Sequence, residues 1–132
     1  MKRSQSRELA FVLLFEKTFS DCTLDEIIDN ANMARNIEAD KFALSLARGV
    51  DKHIDEIDSL ISEYSHKWSK GRISKVALSV MRLSVCEMKY VDDVPISVSI
   101  NEAVELAKKY GGDEDPAFVN GVLGGIARFL EG

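Results

Sequence analysis

The chain has 132 residues, 45% of them hydrophobic and 30% charged, with two prolines and a formal net charge of -5. One domain's worth of chain at this composition excludes a disordered, fibrous or membrane-spanning protein, and about 68 to 70 per cent of its unfolded surface is expected to be buried on folding. Cys22 and Cys86 lack CxxC spacing and support neither a disulfide scaffold nor a zinc site. Such a pair fits a reducing cytosol, with both thiols packed in the core. Lys2, Arg3 and Arg7 precede an apolar run from Leu9 to Phe15 as in a secretory signal, but Glu8 leads that run and Glu16 and Lys17 cut it off where a cleavage site would stand.

The net charge hides a segregation along the chain. Residues 1–17 hold four bases and two acids, residues 18–65 four and eleven, residues 66–90 six and one, and residues 91–132 three and eight. Two basic islands thus sit in an acidic protein. A local patch of that sign binds phosphate by counterion release even when the whole molecule is anionic, because salt screens carboxylates beyond about 8 Å.

Every long segment has a helical period and none alternates, so the chain reads as all-α. Leu9, Val12, Leu13, Phe15 and Phe19 define a first helix, apolar nearly all round. Thr23-Leu-Asp-Glu26 is a capping box that starts a short second one. Phe42, Leu46, Val50, Ile54, Ile57, Ile61 and Tyr64 describe one long helix or two abutting ones, with Gly49 as the weak point. The polar stretch from Ser65 to Gly71 marks a boundary between two helical halves. Ile73, Val76, Val80, Leu83 and Val85 to Met88 form an apolar helix that ends before Pro95 at Asp92-Asp93. The next helix starts either at Pro95 or at a capping box, Ser99-Ile-Asn-Glu102, and closes at Gly111-Gly112. Asp115-Pro116 caps a last helix through Phe118, Val122, Ile126 and Phe129, in which Gly121, Gly124 and Gly125 predict a close neighbouring backbone.

A search for catalytic groups returns little. Glu63-x-x-His66 matches one half of a di-iron site, but no second copy exists. Asp51, Asp55 and Asp58 read as solvated carboxylates, and Cys86 lacks a matched histidine. No enzyme, metal or cofactor is expected, which leaves a partner-binding protein.

The run Pro95-Ile-Ser-Val-Ser-Ile-Asn-Glu-Ala-Val-Glu-Leu-Ala-Lys108, then Tyr110-Gly111 and Phe118-Val-Asn-Gly-Val-Leu123, closely resembles the signature of the NusB family of transcription antitermination factors. Arg7-Glu-Leu-Ala10 with Leu14-Phe15, the Gly49 region, Trp68 to Arg72, and Met81-Arg-Leu-Ser84 with Glu87 follow in the family's order, so the resemblance spans nearly the whole chain. It implies an all-α bundle of about seven helices in two three-helix-like subdomains, about 1–65 and 66–132. It also implies binding of boxA-type single-stranded RNA together with ribosomal protein S10 (NusE), within an elongation complex that holds other Nus factors. The result is antitermination, notably in ribosomal RNA operons. The resemblance also allows a homodimer that covers the RNA surface as a storage form. The alternative reading is a protein-binding helical adaptor that keeps the fold without RNA recognition.

Carried over by position, the resemblance makes Lys2, Arg3 and Arg7 RNA backbone contacts. It places Phe118 and Asn120 where free amides and an aromatic face meet a phosphate and an unstacked base, although Phe118 suits core packing equally well. Arg72, Lys75 and Arg82 complete the track if their helix packs beside the first, so the two basic islands are expected on one surface beside Phe118. Phe15 and Ala77 fall on the S10 surface, where many members have a tyrosine and an acidic residue. Cys86 and Gly124, in place of a frequent tyrosine and aspartate, read as neutral or packing changes.

Overall fold

Seven α-helices make up most of the residues that the computed structural model describes, 2–66 and 73–132, and no strand occurs among them. They are α1 (Arg3–Lys17), α2 (Leu24–Ala34), α3 (Lys41–Lys52), α4 (Ile54–Ser65), α5 (Lys75–Tyr90), α6 (Ile96–Tyr110) and α7 (Asp115–Glu131), with a short 3-10 turn at Ile37–Ala39 between α2 and α3. None is long and apolar enough to cross a membrane. Side-chain caps fix several starts. The Thr23 hydroxyl accepts from the Glu26 amide while Glu26 accepts from the Thr23 amide, as the sequence predicts, and Asp40 and Ser74 cap α3 and α5 through the amides of Ala43 and Ala77.

Two expectations about the helices are corrected, and the open start of α6 is settled. The long stripe breaks into α3 and α4 at His53, not at Gly49. Gly49 instead admits α5: a Cβ there would lie 2.8 Å from the Cys86 sulfur, so close helix packing, rather than a chain break, explains it. Ser99 does not cap α6, which starts after Pro95; its hydroxyl is drawn one turn inward by a buried carboxylate. The α7 glycines were expected to admit a backbone, but a Cβ on Gly125 would instead lie 3.0 Å from the Tyr64 ring. Trp68, Gly71 and the rest of residues 67–72 lie outside the described residues.

α5 occupies the centre. It packs against α1 and α3 on one side, α6 and α7 on another and α4 on a third, so apolar side chains are needed nearly all round it. Val80, Met81 and Val85 are fully buried, and a single core cluster takes in residues from both sides of Ser65. Between α1, α5 and α6 this core encloses charge. Arg7 Nε donates to both oxygens of Glu87, at 3.0 and 2.9 Å, and Nη1 donates to Glu102 at 3.1 Å. Ser99 adds a 2.6 Å hydrogen bond to Glu87. Arg7 and Glu87 are 5% and 2% exposed, so Arg7 is a structural cation and its guanidinium is not available to an RNA backbone.

Removing one side of that pair leaves the other charge buried and uncompensated. Arg7→Ala or Glu87→Ala is expected to lower unfolding free energy by about 3–5 kcal/mol in urea titration, more than replacing both with apolar residues of matched size. Gly49→Ala is expected to cost about 1–3 kcal/mol by overpacking, and much of that loss should return in the Gly49→Ala, Cys86→Ala double variant.

Candidate nucleic-acid interface

α1 and α5 run antiparallel, and this decides where the sequence-predicted site residues fall. At the start of α1, Arg3 pairs with Asp93, beyond the end of α5, with its guanidinium 4.3 Å over the Phe42 ring. At the other end, Lys75 in the first turn of α5 donates to the Thr18 carbonyl at 3.3 Å and lies 4.8 Å over the Phe19 ring. The two ends are separated by a 15-residue helix, about 22 Å at 1.5 Å per residue. Lys2 is exposed beside Arg3. Arg82 faces neither end: its fork pairs with Asp58 of α4 through two 2.8 Å hydrogen bonds. That pairing also takes Asp58 out of the class of solvated carboxylates. Arg72 lies outside the described residues.

The start of α7 joins the Lys75 end, because Asp115 accepts from the Ser74 hydroxyl at 2.9 Å. Asp115 lies within α7, so it does not cap the helix from outside. Phe118 is half-buried against the core and Asn120 is exposed, one and nearly one and a half turns farther along. The Phe118 amide already donates to Glu114 at 3.2 Å, so it is not a free helix-start amide. The predicted single basic track is therefore split: Lys75, Phe118 and Asn120 gather at one end, Lys2 and Arg3 at the other, and Arg7 and Arg82 are held by carboxylates.

From the Lys75 end, a row of rings that charge counting missed runs back to the middle of α1. Phe11 packs at a tilt against Tyr110 of α6 with centroids 4.9 Å apart, stacks on Phe15 at 5.6 Å, and Phe15 meets Phe19 edge to face at 5.0 Å. Exposure rises outward from buried Phe11 to half-buried Phe15 and to Phe19 at 64%, with Tyr110 at 41% on the other flank. A lysine tops each outer ring: Lys75 over Phe19, and Lys109 5.4 Å over Tyr110. The i, i+4 spacing of Phe11, Phe15 and Phe19 was the available signal; Tyr110 and Lys109 join it only through tertiary packing. Ala77, by contrast, is wholly buried under the start of α5, so its methyl cannot itself be a partner contact.

Glu8 fastens this row from the side. Its Oε2 accepts from Lys109 Nζ at 2.5 Å and from the Tyr110 hydroxyl. Those hydrogen bonds, Lys109 first, hold the Glu8 carboxyl below the ordinary carboxylate range and raise both partners. Cys86 offers no chemistry, since burial and then the neighbouring Glu87 push its thiol up to about 12. Among the described residues no group of His, Cys, Asp and Glu side chains is placed to hold a metal ion.

Comparison with known proteins agrees with this architecture. The model of the NusB family matches residues 4–128. The chain is 40% identical to transcription antitermination protein NusB of Clostridium novyi over 132 residues, covering 97% of this chain and 99% of the relative. It is 40% identical to the protein of that name from Bacillus subtilis, covering 99% and 98%. Among solved structures it is similar to T. maritima NusB, with a TM-score of 0.86 and 37% identity over 97% of this chain and 92% of that one. A chain in the crystal structure of antitermination factors NusB and NusE in complex with dsRNA gives 0.83 at 28% identity, covering 98% and 99%.

The lowered Glu8 carboxyl carries a pH signature. A depressed folded-state value contributes stability that is present above the ordinary carboxylate value and is lost as pH falls through the folded one. Glu8→Gln is therefore expected to unfold at lower urea than the parent at neutral pH, with the gap closing as acid protonates Glu8 in the parent.

Proposed function

Because the chain belongs to the NusB family, we propose that it is an RNA-binding transcription antitermination factor, which captures a boxA-type strand together with ribosomal protein S10 (NusE) and promotes transcription of ribosomal RNA operons. It acts in the cytoplasm within the elongation complex, alongside other Nus factors, and as an adaptor rather than an enzyme. The observation that favours this reading is the aromatic row with a lysine over each outer ring. Single-stranded nucleic acid is held by aromatic faces on which bases stack and by cations that follow the backbone, a combination independent of any deep groove. Phe19 with Lys75 and Tyr110 with Lys109 supply both at the two ends of one surface. Lys2 and Arg3 add charge at the start of α1, and Asn120 adds a polar edge beside the Lys75 end. Phe15, between Phe11 and Phe19, lies at the position where S10 is expected, so RNA and S10 would meet along one helix.

Fluorescence anisotropy with a boxA single strand, with and without S10, across a salt series tests the proposal. Affinity is expected to rise with S10 and to fall linearly on logarithmic axes as salt increases. Lys75→Glu should weaken all RNAs alike, whereas Phe19→Ala should cost about 1–3 kcal/mol for a stacked base. Equal affinity for a scrambled strand, or for a duplex of the same sequence, would overturn the assignment of boxA single-strand recognition. Binding of S10 with no RNA contact would establish the helical adaptor instead.

A further inference from the structure

A cavity of about 550 Å³ lies between α1 and the link from α2 to α3, with Tyr110 of α6 in its wall. The link is shaped from within, because Asn32 Oδ1 accepts from the amides of Ile37 and Glu38. Leu9, Val12 and Ile37 give the cavity an apolar lining, and Asp40 gives it a carboxylate. Asp40 is 8% exposed. Its Oδ1 is engaged by the Ser6 hydroxyl at 2.9 Å and the Ala43 amide at 3.1 Å. Its Oδ2 is buried without any hydrogen-bond partner among the described residues. An unpartnered carboxylate oxygen in such a place is costly, and an N–H donor that displaces the groups covering it from the cavity side relieves that cost.

The rest of the wall narrows the donor. The second carboxylate of the wall, Glu8, is already taken by Lys109 and Tyr110, and a cationic side chain would bring its charge towards Arg35, which borders the cavity and makes no ion pair among the described residues. A flat base instead finds apolar surface for its face, an acceptor for an amino group, the side-chain amides of Gln5 and Asn36 for its remaining edge, and Arg35 for the phosphate that follows. Tyr110 belongs both to this wall and to the aromatic row, so a strand lying on the row passes the mouth of the cavity. We propose that the cavity receives one unstacked RNA base bearing an exocyclic amino group, which donates to Asp40 Oδ2. The inference rests on the RNA-binding reading above and adds to it a site of base selection on the side of α1 that meets the α2–α3 link.

Cytidine and uridine 5′-monophosphate form a matched pair of probes, because they differ in an amino group against a carbonyl at one ring position. In methyl NMR titrations of the intact protein, the cytidine nucleotide is expected to shift the Leu9, Val12 and Ile37 signals and to bind at least about fivefold more tightly than the uridine nucleotide. Asp40→Asn keeps a side-chain oxygen to cap α3 and should abolish that preference, and Val12→Phe should fill the space and remove binding of both. Equal binding of the two nucleotides, or no shift at these methyls, would overturn the site. So would tighter binding of N-acetyl-arginine amide, which would assign the cavity to a basic side chain. In the boxA titration, Val12→Phe is expected to lose about fivefold in affinity while keeping its response to S10. If the parent binds boxA and S10 but nucleotides miss the cavity, this inference alone falls. If no RNA binds, the functional proposal falls, and the nucleotide titration still decides the cavity.

Discussion

The Arg7–Glu87 pair, with Ser99 and Glu102 around it, sets the angle at which α1 lies on α5 and α6. A fork-to-carboxylate contact buried among three helices permits one register only, because a shift of α1 by a residue would strand both charges without water. Everything on the outer side of α1 follows from that register. Phe11 goes into the core, Phe15 and Phe19 step out of it, Glu8 meets Lys109 and Tyr110, and Leu9 and Val12 turn towards the α2–α3 link. A charge-assisted network in the interior thus determines the shape of a surface on which neither Arg7 nor Glu87 appears.

The helices were legible because their signals are local. Capping oxygens at Thr23 and a glycine closing α6 act over three or four residues and need no tertiary context. The errors occurred where a distant group won. Ser99 and Glu102 have the spacing of a capping box, but Glu87 and Arg7, from other helices, take their side chains instead. Gly49 has the propensity of a helix break, yet it is kept small by a sulfur 37 positions away in sequence. Propensity described these residues correctly in isolation and could not see their neighbours.

Charge was the least legible property of the surface. The basic islands are real in sequence, but the fold distributes their members among acidic partners: Arg82 to Asp58, Lys89 to Glu56, Arg3 to Asp93, Arg7 to Glu87. An acidic chain that binds a polyanion has to separate its carboxylates from its phosphate contacts, and here it does so partly by pairing them off internally. Of the two lysines over the outer rings, Lys109 is shared with Glu8, whereas Lys75 over Phe19 has no carboxylate partner among the described residues and keeps its charge for a phosphate.

The graded burial of Phe11, Phe15 and Phe19 has a mechanical consequence. The innermost ring is clamped on all sides, the middle one on some, and the outermost leans on one neighbour and a lysine. Rotational freedom therefore increases along the helix, so a contact at the outer ring must first quench motion that the inner rings never had. Tightening the tip of the row, for instance by giving Phe19 a second wall, would change how quickly a complex dissociates more than how quickly it forms.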